Sequence, residues 1–335
     1  MVFERRYVAL FPLLGDQMFR MFLQRVALGA MTVFLVSAMI FSAVEILPGD
    51  ACTAILQRDA VGKRLENCRQ ELGLNRSSFI RYADWAANAM KGDLGVSIHN
   101  GKPISGLVFE RFKNTMLLAA LSLILGVPLA IGLGILTALR RDKPFDVIVS
   151  SVTIFAMTIP EFVSATLLIF TFSIWLGWVP GIVTASASSP ASAFFPSIIL
   201  PAMVLTMVMS AHILRTVRSS VIDVMGSEYV QMAQLKGVPF RRIVLYHALP
   251  NALLPAINVI ALTIAWLLGG VVVVEKVFNF PGLGHYMVDA ISDRDLPVVQ
   301  AIALIVATVY VGVNLTADLL GLVLNPRLRS LRARS

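Results

Sequence analysis

The stretch Ser227–Pro255, "SEYVQMAQLKGVPFRRIVLYHALPNALLP", is a polar interruption in an otherwise apolar chain. Ser227 suits the cap of a helix opening at Glu228, whose charge complements the positive helix N-terminus. Tyr229, Met232 and Ala233 share one face of that helix, while Gln231 and Gln234 point elsewhere. Lys236 favours the C-terminal end, and Gly237 is a natural stop. After Val238, Pro239 suits the first position of a second short helix. On that helix Phe240, Ile243, Val244 and His247 recur at helical spacing, with Arg241 and Arg242 on the other face. Leu249-Pro250 marks the return to apolar sequence. The reading is two short helices meeting at a corner, Lys236–Phe240. Such a pair either lies on lipid headgroups or docks into a groove of a partner protein.

The flanking sequence decides the fold class. The chain has 335 residues, of which 57% are hydrophobic and 14% charged, and its mean hydropathy is +0.78. Soluble domains carry about 25% charged residues, so this chain lacks the polar surface to face water all round. Six runs reach the ~20 apolar residues that cross a bilayer: 21–47, 114–139, 147–176, 196–214, 252–275 and 298–323. The expected fold is therefore all-α and integral to the membrane, with six transmembrane helices. The third run contains "TIPEFV" (Thr158–Val163) and is expected to be one long kinked helix, because two spans would need about 40 residues. The first run exceeds the apolar core of a signal peptide and reads as an uncleaved anchor.

Charge sets the expected orientation. Arg5, Arg6, Arg20 and Arg25 precede or enter the first span. Arg140, Arg141 and Lys143 lie between the second and third. Arg215, Arg218, Lys236, Arg241 and Arg242 belong to the polar segment and its approach, and Arg327, Arg329, Arg332 and Arg334 to the tail. The short connectors on the other side hold only Lys276 and Arg294. The positive-inside rule then makes both termini and the polar segment cytoplasmic. The net charge of +8 reports topology, not nucleic acid. The expected organisation is an N-terminal extension (1–20), a first span (21–47), an extracytoplasmic loop domain (48–113), a core (114–323) containing the cytoplasmic segment 215–250, and a tail (324–335). Helical stretches are expected around Glu66–Leu72 and Phe79–Met90. Cys52 and Cys68 both fall in the loop domain. In an oxidising compartment they can form a disulfide, the alternative being two partly buried thiols.

No catalytic or metal-binding constellation emerges. Gly62-Lys63 and Gly101-Lys102 lack the rest of a phosphate-binding loop. His99, His212, His247 and His285 are scattered without metal-ligand spacing, and no nucleophile elbow is present. The chain is thus expected to be no enzyme and to carry no metal or cofactor. Acidic residues inside spans are costly and point to function. Glu45 sits beside "LPGD" near an interface and Asp318 near the tail. Glu161, beside Pro160, is the candidate lining group of a translocation path.

The polar segment resembles the cytoplasmic "EAA" loop of binding-protein-dependent ABC importer permeases. Aligned on Gly237, that general pattern keeps Ala233, Leu249 and Pro250 but departs at Gln231, Met232 and His247. The version here is similar to the dipeptide/oligopeptide/nickel branch. "EILPGD" (Glu45–Asp50), "IPEFVSATLLIFTFSIWLGWVP" (Ile159–Pro180), "VVVVEKVFNFPGLGHYMVDAISDRDLPVVQ" (Val271–Gln300) and "ADLLGLVLNPRLR" (Ala317–Arg329) resemble the same branch.

The resemblance implies a type I ABC importer permease fold and half of a translocation pathway in a heterodimer with a second homologous permease. It also implies two cytoplasmic ATPase subunits that bind ATP and Mg²⁺, a periplasmic solute-binding protein, and a bacterial inner-membrane location in contact with lipid. Peptides, nickel, glutathione and opines are the implied solute classes. Glu228, Tyr229, Gln231, Ala233, Lys236, Gly237, Val238, Pro239, Phe240, Arg241, Leu249 and Pro250 would then couple the ATPases to the spans. "FPGLG" (Phe280–Gly284) reads as a gate-supporting corner or a simple hairpin, its glycines permitting tight turns.

Overall fold

The computed structural model describes residues 10–46, 49–56, 59–71, 73–186 and 188–324. Most of the expected N-terminal extension and the tail from 325 lie outside them, as does the Asp318 side chain. Among the described residues the only extended pairing is a single bridge between Val96 and Pro103; all else regular is helical. Among the described residues five helices are long and apolar enough to cross a membrane, and a bent pair can supply a sixth crossing. Large apolar side chains such as Ile124, Ile148, Phe155, Phe170 and Trp175 face outward, which suits lipid or another apolar chain rather than water.

Helix α1 (Leu10–Ile46) starts inside the stretch expected to precede the first span. Three short helices follow: α2 (Ala51–Leu56), α3 (Gly62–Glu71) and α4 (Ser78–Met90). A disulfide joins Cys52 to Cys68, tying α2 to α3. Asp50 accepts the Thr53 N–H at 2.8 Å and the Arg69 Nε–H at 2.6 Å. Burial pushes its carboxyl up, but these donors outweigh that and leave it below the usual range. Tyr82 of α4 packs edge-on against Phe34 and Phe41 of α1, and its hydroxyl pairs with Ser37 at 2.7 Å.

Helix α5 (Ile104–Leu139) begins before the apolar run expected from 114. Its buried residues Ser122, Gly126, Ala130, Gly134 and Ala138 recur every four positions and form a seam of small side chains. Backbones approach closely along such a seam. A Cβ on Gly126 would overlap Met209, and one on Gly134 would lie 2.9 Å from the Leu214 carbonyl. Both contacts belong to α8 (Ala191–Met225), the most enclosed of the spanning helices.

The third run is not one kinked helix. Helix α6 (Pro144–Thr158) stops at Ile159, which is extended at φ −79°, ψ 127°. Helix α7 (Glu161–Leu168) restarts after Pro160 and continues as a π-helical turn to Trp175. The two are bent by 110°. The cause is local: the Pro160 ring disfavours helical geometry at Ile159 and offers no N–H to the preceding turn. The Pro160 carbonyl then accepts the Val163 and Ser164 N–H groups and nucleates α7.

Beyond α8 come α9 (Glu228–Leu235), the short α10 (Phe240–Arg242), α11 (Leu249–Val277), α12 (Leu283–Ser292) and α13 (Leu296–Leu324). One core cluster joins Ala165 of α7 to Phe194, Leu205, Leu267 and Phe280. Another joins Ala130, Met209, Val217 and Ala256 nearer α9. The second cluster is fixed beside an ion pair: Arg218 of α8 grips Asp146 of α6 through two hydrogen bonds of 2.6 and 2.7 Å.

Candidate functional site

Because α8 continues as helix to Met225, the first part of the expected 215–250 segment belongs to a spanning helix. The corner itself starts at Gly226. Ser227 occupies the cap position of α9 but does not cap with its side chain. Its hydroxyl donates instead to the Val224 carbonyl at 2.5 Å, which fastens the turn to α8. The Gln231 amide donates to the Gly226 carbonyl at 3.0 Å, so the residue at the usual acidic position helps close that turn.

The far end of α9 is sealed by a full backbone motif. The Gly237 N–H donates to the Gln234 carbonyl at 2.9 Å and the Val238 N–H to the Ala233 carbonyl at 3.2 Å. Together with φ +72° at Gly237, this is a Schellman cap. It requires the left-handed conformation that glycine adopts without strain. Open space surrounds the position where a Gly237 Cβ would stand, so conformation and not room selects glycine here. Val238 and Ala233 then pack with buried Val230, Ile243 and Ala248 into a small core beneath the corner.

Pro239 stands one position earlier than expected, before the helix that starts at Phe240. A π-helical turn, Ile243–Ala248, carries the chain into α11. The wider turn shifts the buried face by one residue: Ile243, Val244 and Ala248 are buried, whereas Phe240 and His247 are exposed. The Asn251 amide donates to the His247 carbonyl at 3.2 Å and to the Tyr229 hydroxyl at 3.3 Å, binding α9 to the π turn. Pro250 lies in the first turn of α11, directly after the π turn.

The outward surface of this corner carries large apolar and aromatic side chains among polar ones. Leu235 is 82% exposed and Tyr246 74%, and Tyr229, Met232, Phe240 and Leu245 are exposed beside them. Gln231, Lys236 and Arg241 are exposed as well. Most of the sequence-predicted site residues are thus exposed at this corner, whose backbone is held from below by packing. Glu161 lies elsewhere, at the start of α7, and Cys52 and Cys68 lie in the segment between α1 and α5.

A second polar centre escaped the sequence reading. Glu275, near the end of α11, is fully buried. It accepts the Thr115 hydroxyl at 2.6 Å and the His285 N–H at 2.9 Å. Thr115 in turn accepts the Leu283 N–H at 2.8 Å, and the Asn114 amide donates to the Pro281 carbonyl at 2.7 Å. The glycines of "FPGLG" serve this centre through size, not through turn geometry. Gly282 is extended and Gly284 lies in the first turn of α12, but a Cβ on Gly282 would overlap the Glu275 carboxylate. The only advance signal was one acid at the end of an apolar run, followed by two glycines spaced to wrap it. Asp295, equally overlooked, is buried and accepts the Ser97 hydroxyl and the Ile98 N–H, the latter at 3.2 Å.

Comparisons with known proteins agree with this architecture. Residues 130–330 match the family described as binding-protein-dependent transport system inner membrane component, and residues 18–119 match its N-terminal region. The glutathione transport system permease protein GsiC of Escherichia coli (strain K12) is 35% identical over 298 residues, 89% of this chain and 95% of that protein. A probable peptide ABC transporter permease protein, y4tP, of Sinorhizobium fredii is 32% identical over 316 residues, 94% of this chain and all of that protein. The crystal structure of an amino acid ABC transporter with histidines matches at TM-score 0.51 and 17% identity, over 65% of this chain and 94% of that one, a likeness of fold. The chain belongs to the binding-protein-dependent transport system inner membrane component family and is a permease subunit of an ABC importer.

Proposed function

We propose that the chain imports peptides, or a related small solute such as glutathione, nickel or an opine, as one half of a heterodimeric pathway. In this reading a periplasmic binding protein delivers the solute, and two cytoplasmic ATPase subunits bind ATP and Mg²⁺. Both termini and the corner at Gly237 are cytoplasmic, and the segment between α1 and α5 is periplasmic. The corner docks in a groove of one ATPase and passes its closure to α8 and α11.

The observation that supports this reading is the combination of rigidity and exposure at the corner. Hydrogen bonds and a small core fix its backbone to two spanning helices, yet Met232, Leu235, Phe240, Leu245 and Tyr246 remain exposed on it. A rigid apolar projection is what a lever needs: force applied at Leu235 or Tyr246 reaches α11 without being absorbed by a flexible joint. Helix α11 has 29 residues, so it carries such a displacement over about 43 Å. At the far end it meets the Glu275 centre.

Reconstitution tests the reading. Proteoliposomes holding this chain, a second permease and the ATPases import solute only with both ATP and the binding protein. ATP-independent transport by this chain alone would instead make it a self-sufficient secondary transporter.

A further inference from the structure

We propose that Glu161 and Ser164 form a subsite for an ammonium group of the solute in transit; the proposal rests on the permease reading above. Both residues lie on the first turn of α7, immediately after the break at Pro160. Their spacing, three residues, puts them on one helix face with about 5–6 Å between their Cβ atoms. Ala165, on the same side, packs in the core cluster with Phe194 of α8 and Leu267 and Val271 of α11. This face therefore looks into the bundle and not outward.

Two polar atoms on it are enclosed and unserved. Glu161 Oε2 and Ser164 Oγ have no hydrogen-bond partner among the described residues, and Ser164 is only 3% exposed. Elsewhere in this chain helical hydroxyls are satisfied by the carbonyl three or four residues back: Ser122 by Leu118, Thr153 by Val149, Thr166 by Phe162, Ser197 by Phe194. For Ser164 the carbonyl four back is that of Pro160, which already accepts the Val163 and Ser164 N–H groups. The break that bends the span thus also strands a hydroxyl beside a carboxylate.

A partly enclosed carboxylate at membrane depth is stabilised by a positive partner. An enclosed hydroxyl still offers acceptor lone pairs. A primary ammonium meets both needs, since it carries three N–H donors and no acceptor. Charge-assisted contacts of about 2.8 Å to each oxygen let one nitrogen bridge the pair. A neutral or anionic group offers the carboxylate less. The chemistry recognised is thus a free amino group, as at the N-terminus of a peptide.

The test uses the complete importer in lipid nanodiscs, arrested with ATP and vanadate, and measures equilibrium binding of radiolabelled dialanine and of N-acetyl-dialanine. The wild type should hold dialanine about tenfold more tightly than the acetylated probe, the worth of one charge-assisted hydrogen bond. Glu161→Gln should erase that preference, Ser164→Ala should reduce it, and Glu161→Asp should retain part of it. Equal binding of the two probes by the wild type, binding of neither, or an undiminished preference in Glu161→Gln would overturn the subsite. Dissociation of the two permeases in Glu161→Gln, with no preference in the wild type, would overturn it in favour of a lysine of the second permease. ATP-driven uptake in proteoliposomes separates the two ideas. Its absence in the wild type defeats the permease reading, while uptake without amino-group preference defeats the subsite alone.

Discussion

Thr115 and Glu275, 160 residues apart in sequence, meet at 2.6 Å inside the bundle. Through that contact the start of α5, the end of α11 and the loop leading into α12 become one unit. Thr115→Val leaves the buried carboxylate short of one donor and should destabilise the protein by roughly 1–3 kcal/mol. Glu275→Gln should cost a similar amount, since it turns one acceptor into a donor. The double variant should lose less than the sum, because the residues share one network. Thermal unfolding in detergent checks this, and strict additivity would show that the contact carries no energy of its own. Gly282→Ala should be more damaging than either, because its methyl overlaps the carboxylate.

The disulfide closes a segment with a sequence separation of 16. Cross-linking a loop of that length stabilises by about 3 kcal/mol in the chain-entropy account. The Cys52→Ser/Cys68→Ser variant should therefore melt earlier. Mass mapping of the oxidised wild type should find neither thiol alkylated without reductant and both with it. Alkylation of both without reductant would contradict the bridge.

Acid should loosen the same region through Asp50. Its folded-state carboxyl titrates below the ordinary value of 3.8, so the deprotonated form favours the folded state. The stabilisation is fully present above the unfolded value and is lost as pH falls through the depressed folded one. Melting temperatures should drop as pH enters that window. Asp50→Asn should melt lower than wild type at neutral pH and lose part of the acid dependence. Equal acid sensitivity in the variant would assign the effect to other carboxylates.

The spans and the corner were legible because their signals are local. An apolar run of spanning length acts within one segment, and a glycine after Lys236 and a proline two residues later act within one turn. The family resemblance supplied the partners. The 110° break was not legible, because prolines at 128, 196, 201 and 255 sit inside continuous helices of the same protein, so Pro160 alone does not announce a stop. The π turn was equally hidden, and it took His247 off the face it was expected to share with Ile243 and Val244 and put Ala248 there instead. Glu275 and Asp295 were missed because their partners come from α5 and from Ser97–His99, far away in sequence. No periodicity encodes such contacts.

The central claim is that the rigid corner at Gly237 couples ATP hydrolysis to transport. At Gly237 a side chain has room, so a substitution acts through conformation and through what it presents outward. The left-handed geometry costs most residues about 1–2 kcal/mol, and Asn or Asp less. Gly237→Asn should therefore keep the corner folded and uptake close to wild type, whereas Gly237→Asp adds charge to the exposed apolar surface. A charge introduced at Ala233, partly buried at the edge of the small core, should act similarly to Gly237→Asp.

The most direct measurement is the number of ATP molecules hydrolysed per solute imported, in proteoliposomes holding the complete importer. Gly237→Asp should insert and assemble normally and continue to hydrolyse ATP, yet import at least about tenfold less solute per ATP, as a coupling loss of 1.4 kcal/mol would produce. An unchanged ratio in both Gly237→Asp and the charged Ala233 variant would contradict the coupling role of the corner.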